Sequence, residues 1–163
     1  ITRRSAGQDS DRNGDRGQAM ILYLDTSALV KRYFNEPYSV EVISLWKSAG
    51  ELVTSSAAYA ETMATFYRKR RETSLGQKIF DKILESFQEE WNIFIRVHVT
   101  DELNPLIHRV VAEHALRGYD AIHLASALTI HERLNEDFLF ACFDRRLIQA
   151  AQLEGLSIFP QEL

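Results

Sequence analysis

The sequence predicts a single α/β domain with a central parallel sheet of about five strands flanked by helices. Five short apolar runs alternate with stretches of helical period, and no hairpin signal such as Asn-Gly joins any two runs, so the strands need helical crossovers. With 163 residues, 45% hydrophobic and 26% charged, the chain is large enough for one buried core and too short to favour two.

Taken in order, residues 1–19 stand apart. They hold three of the seven glycines, four Arg and three Asp, and no apolar side chain except Ile1, Ala6 and Ala19, which predicts a disordered N-terminal extension. Met20 opens the first apolar run and reads as the natural start of the folded domain, 20–163. Residues 20–24 form a buried strand, 27–34 a short helix, and Pro37 opens a second helix that runs to about Gly50. A strand follows at 52–55 and a helix at 57–71. Ser74, with Gln77 three residues on, has the pattern of a capping box for a long helix ending near Trp91. The third strand is 93–99, closed by Thr100 and Asp101. Leu103, Leu106, Ile107, Val110, Val111 and His114 keep helical spacing until Gly118 stops them. A helix at 120–134 turns Ala121, Leu124, Ala125 and Leu128 inward. A strand at 138–143, a helix at 144–154 closed by Gly155, and a strand at 156–159 complete the chain.

Composition narrows the function. No apolar run approaches the roughly 18–20 residues that cross a bilayer. The single cysteine, Cys142, has no partner for a disulfide or a zinc knuckle, which suits a reducing, cytoplasmic setting. A net charge of -4 argues against coating nucleic acid by charge alone, so any nucleic-acid role rests on a local site.

In a parallel sheet the ligand crevice lies beyond the carboxyl ends of the strands. Two strands end there in an aspartate, Asp25 and Asp144, and each Asp also precedes a helix, where a capping role accounts for it equally well. Glu61 rises from a helix face of Ala57, Ala58, Ala64 and Thr65. Asp120 sits beside Ala121 and Leu124, where the helix dipole also favours an acid. Gathered at one rim, four carboxylates repel unless a cation lies among them. An all-oxygen set suits Mg2+ or Mn2+ rather than zinc, and such ions serve phosphate chemistry.

The stretches from Tyr23 to Lys31, Ala60-Glu61, Tyr119 to Ala127 and Phe143 to Leu147 closely resemble the PIN-domain family, and within it the VapC-type toxins of toxin–antitoxin systems. The resemblance covers essentially all of 20–163. It implies a metal-dependent endoribonuclease in which Asp25, Glu61, Asp120 and Asp144 hold one or two Mg2+ or Mn2+ ions. Thr26 or Ser27 supports the first acid, and metal-activated water cleaves RNA to a 5′-phosphate and a 3′-hydroxyl. It further implies a homodimer bound by a small VapB-type antitoxin that sends an arginine toward the acidic rim. The aromatic surface of Tyr33, Phe34, Tyr38 and Trp46, more than one sheet covers, favours the same assembly. Cys142 departs from the family, which often has Thr there.

Around the acids, Lys31, Arg32, Arg68, Lys69 and Arg145 are candidate contacts for RNA phosphates, although a run such as Arg68 to Arg71 also serves as a solvated helix end. His123 reads as a helix residue supporting the site rather than a general base, and Trp46 and Trp91 read as core. A haloacid-dehalogenase-type phosphatase needs an acid where Ser27 stands, and a metal-dependent adhesion module needs a serine where Leu29 stands. The remaining alternatives are a catalytically silent PIN domain serving as a partner-binding scaffold and a DNA-directed PIN nuclease.

Overall fold

The computed structural model describes residues 20–134 and 136–163, and the expected extension at 1–19 lies outside them. Its strands are β1 (Ile21–Leu24), β2 (Glu51–Ser55), β3 (Ile95–Val97), β4 (Phe138–Ala141) and β5 (Ile158–Phe159). They form one parallel sheet in the order β3-β2-β1-β4-β5. The helices are α1 (Thr26–Leu29), α2 (Ser39–Ser48), α3 (Ala58–Thr73), α4 (Gln77–Trp91), α5 (Asn104–His114), α6 (Gly118–Arg133) and α7 (Arg145–Leu153).

Alternation along the strands builds two cores. Ile21 and Tyr23 of β1, with Phe138 and Phe140 of β4, face a layer of α5, α6 and α7 that supplies Val110, Leu124 and Leu147. Leu22 and Leu24 face the other way, onto α1 to α4, where Phe66, Phe80 and Phe87 fill the layer. Both faces of β1 are therefore covered, and its continuous apolar run is what a central parallel strand requires. None of the described helices is long and apolar enough to cross a membrane.

Several boundaries differ from the sequence reading. The expected helix at 27–34 is a single α-turn, α1, followed by a 3-10 turn at Val30–Arg32. The third strand shrinks to Ile95–Val97, because only Val53, Thr54 and Ser55 of β2 offer it partners. The fourth strand ends at Ala141 because the next residues bend to place Asp144 at the cap of α7. The capping box at Ser74 is absent. Ser74 takes a left-handed conformation (φ 52°) that closes α3, and Gly76 caps α4. Likewise Ala115 (φ 51°), not Gly118, ends α5, and Gly118 is the first residue of α6. Three of the four aromatics expected at a partner surface are used internally. Tyr33 and Phe34 pack on Phe66 and Trp46 on Phe94, while Tyr38 rests against Phe143 and Phe159 and stays 38% exposed.

The chain leaves β1 toward β2 and β3 on one side and later returns to β4 on the other. The carboxyl ends of β1 and β4 thus flank the point where the strand order reverses, which is where an open α/β sheet forms its crevice.

Candidate active site

A pocket of about 460 Å³ opens at that point. Asp25, Glu61, Asp120 and Asp144 all line it, together with Thr26, Ser27, Lys31, Arg68 and Lys69. Arg32 and Arg145 are not among its walls. Arg32 instead pairs with Glu90 at 2.6 Å and lies over the Trp46 ring, and Arg145 starts α7 with its side chain exposed.

Asp25 follows β1 directly and caps α1, accepting the Ala28 N–H at 2.9 Å and the Ser27 hydroxyl at 2.7 Å. Its backbone N–H bonds to Ala141 of β4 at 3.1 Å, which fixes it against the neighbouring strand. Asp144 caps α7, with Oδ1 accepting the N–H groups of Arg146 and Leu147 at 2.9 and 3.0 Å. Both residues are therefore caps and pocket walls at once. The cap engages Asp144 through Oδ1 alone, whereas in Asp25 the Ser27 hydroxyl also lies 2.9 Å from Oδ2.

Asp120 stands in the first turn of α6 with no hydrogen-bond partner among the described residues. Burial raises its carboxyl above the ordinary range, and the nearby charges of Asp144 and then Asp25 raise it further. Asp25 is also raised, by burial above all, against the opposing effects of His123 and of its own hydrogen bonds. Glu61, on α3, behaves oppositely. Burial pushes it up, but hydrogen bonds from His123 and Thr26 outweigh that and hold it below the usual carboxylate range.

The basic wall is partly self-neutralised. Lys31, almost fully buried, lies 3.3 Å from Glu36 and 4.3 Å from the Phe143 ring centre, and Lys69 also pairs with Glu36. Burial raises the Glu36 carboxyl, yet the two lysines prevail and keep it low. Arg68 has only a long contact of 3.9 Å to Glu72. Arg117 and Thr65 also line the pocket and escape a reading of the sequence. The available signal for Arg117 is its place one residue before Gly118, at the cap of the helix that carries Asp120.

Among the described residues, the one group of carboxylate and imidazole ligand atoms within 4.8 Å of one another lies elsewhere, at Glu113, His114 and Glu154 between α5 and α7. There Arg109 bonds both oxygens of Glu154, at 2.9 and 3.0 Å, so the group is an ion-pair network. No three of the pocket acids bring ligand atoms within 4.8 Å of one another.

The family model described as the PIN domain matches residues 22–153. Ribonuclease VapC45 of Mycobacterium tuberculosis is 29% identical over 143 residues, covering 88% of this chain and 97% of that protein. The crystal structure of PAE2754 from Pyrobaculum aerophilum superposes with a TM-score of 0.61 at 17% identity, covering 85% of this chain and 89% of that one. A chain of a toxin-antitoxin complex from Klebsiella pneumoniae superposes with a TM-score of 0.54 at 15% identity, covering 76% and 86% respectively.

Proposed function

Because the chain belongs to the PIN-domain family, we propose that it is a divalent-metal-dependent endoribonuclease, the toxin of a toxin–antitoxin pair acting in the cytoplasm. The observation that carries this reading is a single pocket with four carboxylates beside Lys31, Arg68, Lys69 and Arg117. The fit to Mg2+ or Mn2+ lies in the donor set. Asp25, Glu61, Asp120 and Asp144 offer oxygens only, and Asp120 is held beside Asp144 and Asp25 at an electrostatic cost that a cation offsets. When bound, the ion supplies an acidified water and a counter-charge for a phosphodiester.

The protein's own residues supply the rest. Backbone N–H groups aim Asp25 and Asp144, Thr26 and Ser27 steady the acids through their hydroxyls, and the basic wall takes phosphates that flank the scissile bond. RNA is the substrate we favour because the relative VapC45 is named a ribonuclease. Incubation of a mixed RNA pool and matched single-stranded DNA with Mg2+, Mn2+ or chelator, with Asp25→Asn as control, tests the reading. Metal-dependent cleavage of RNA alone, lost in Asp25→Asn, is expected. Cleavage of DNA alone would assign a DNA-directed nuclease, and no cleavage of either would leave a scaffold that only binds partners.

An antitoxin partner is supported by the likeness to the Klebsiella toxin-antitoxin complex, and its VapB type by the likeness to a VapBC2 complex from Rickettsia felis. The homodimer is supported by Tyr38 and by Val40, which is 77% exposed on α2. Co-purification with the product of the adjacent small gene tests the first. Light scattering at micromolar concentration tests the second, and a monomer there would remove it.

A further inference from the structure

We propose that His123 is a positioning residue that, held by Tyr23, locks one oxygen of Glu61 and leaves the other to the pocket. The proposal rests on the reading of Glu61 as a metal-binding acid.

His123 is three residues beyond Asp120 on α6 and only 2% exposed. Its Nε2 lies 2.8 Å from Glu61 Oε2, and its Nδ1 lies 3.0 Å from the hydroxyl of Tyr23. Tyr23 belongs to β1, two residues before Asp25. It is completely buried and stacks on Phe140 of β4 with ring centres 5.3 Å apart, so its hydroxyl is fixed by the sheet itself. The hydrogen bond between this hydroxyl and Nδ1 ties the imidazole ring to β1. The Glu61 carboxylate only accepts, so Nε2 is the donor in their hydrogen bond.

Thr26 donates to the same Glu61 oxygen at 2.6 Å. Two donors from two elements therefore converge on Oε2, and Oε1 has no hydrogen-bond partner among the described residues. Nε2 already carries the proton it donates to Glu61, so this nitrogen has no free lone pair with which to take one from water. This geometry assigns the ring to fixing a ligand oxygen, as outer partners of metal ligands do, rather than to general-base chemistry.

Manganese titration followed by electron paramagnetic resonance, without RNA, tests the assignment on the full chain. Outer partners of metal ligands are typically worth about 10- to 100-fold in affinity. His123→Leu should weaken Mn2+ binding by about tenfold, while His123→Gln, whose amide nitrogen donates from near the Nε2 position, should stay within about threefold of the parent. Tyr23→Phe, which keeps the ring stack, should fall between them. In cleavage assays His123→Leu should lower kcat and leave KM for RNA unchanged. Parental Mn2+ affinity in His123→Leu, or equal weakening in the Leu and Gln variants, overturns the proposal. Should His123→Leu fail to fold, parental affinity in Tyr23→Phe overturns it alone. Glu61→Gln in the same titration separates the two claims. Weakened binding there with parental binding in His123→Leu removes only the relay, and parental binding in Glu61→Gln removes the site reading as well.

Discussion

The Ser27 hydroxyl accepts the backbone N–H of Phe143 at 2.8 Å while it donates to Asp25 at 2.7 Å. One oxygen thus bridges the carboxyl ends of β1 and β4, beyond which stand the acids Asp25 and Asp144.

Ser27→Ala leaves the Phe143 N–H without its partner and removes a donor from a buried carboxylate. Leaving such groups unsatisfied costs about 1–3 kcal/mol. The variant should unfold at a lower urea midpoint than the parent and cleave more slowly at saturating metal. A parental midpoint would show that the bridge is dispensable.

Asp120 sets a pH dependence whose sign is fixed by its surroundings. Burial, then Asp144 and Asp25, raise its carboxyl above the unfolded value of about 3.8. The folded state therefore binds this proton more tightly, and its stability falls as pH rises above the unfolded value and through the raised one. Asp120→Asn removes that loss. In chelator the variant should melt above the parent at about pH 7, with the gap closing toward about pH 4. Added Mg2+ should raise the parent more than the variant. Parallel melting curves for the two proteins would contradict the crowding of these acids.

The four acids should be separable from the caps they form. Asn caps a helix about as well as Asp, so Asp25→Asn and Asp144→Asn should keep their helices and melt no lower than the parent in chelator. Nevertheless Asp25→Asn, Glu61→Gln, Asp120→Asn and Asp144→Asn should each lose at least about a hundredfold in cleavage rate, or about 2.7 kcal/mol of barrier. Near-parental turnover in any one takes that residue out of the chemistry.

The basic residues divide by position. Arg68→Ala and Lys69→Ala should raise KM for RNA and flatten its salt dependence by roughly 0.7 in log–log slope for each single-strand phosphate that the variant no longer neutralises. Arg32→Ala and Arg145→Ala, outside the pocket, should leave KM and the salt slope unchanged. A raised KM in Arg32→Ala would mean that RNA extends over the Glu90 and Trp46 side of the molecule.

What is legible in the sequence is what local pattern encodes. An Asp directly after a buried run, as at Asp25, marks a strand end, and parallel topology then delivers every strand end to one rim. The two misplaced helix boundaries have a common cause. Ser74 and Ala115 adopt left-handed conformations that their side chains do not advertise, while the nearby Gly76 caps the next helix and Gly118, read as a stop, begins one. Side-chain partnerships across long sequence separations are equally invisible. Nothing near Arg32 points to Glu90, nor anything near Lys69 to Glu36, and the link from Tyr23 through His123 to Glu61 exists only once β1, α6 and α3 are packed.

The strand order also sets when the catalytic centre comes into being. Leu24 pairs with Ala141, so one whole edge of β1 stays unpaired until nearly all of the folded domain has been synthesised, and Asp144 is the last of the four acids to be made. A nascent chain still short of β4 carries Asp25, Glu61 and Asp120 with no wall to close them in. Premature termination anywhere before that strand leaves a fragment without Asp144 or the β4 wall of the pocket, so on the proposed reading a ribosome meets the nuclease only when the domain is almost finished.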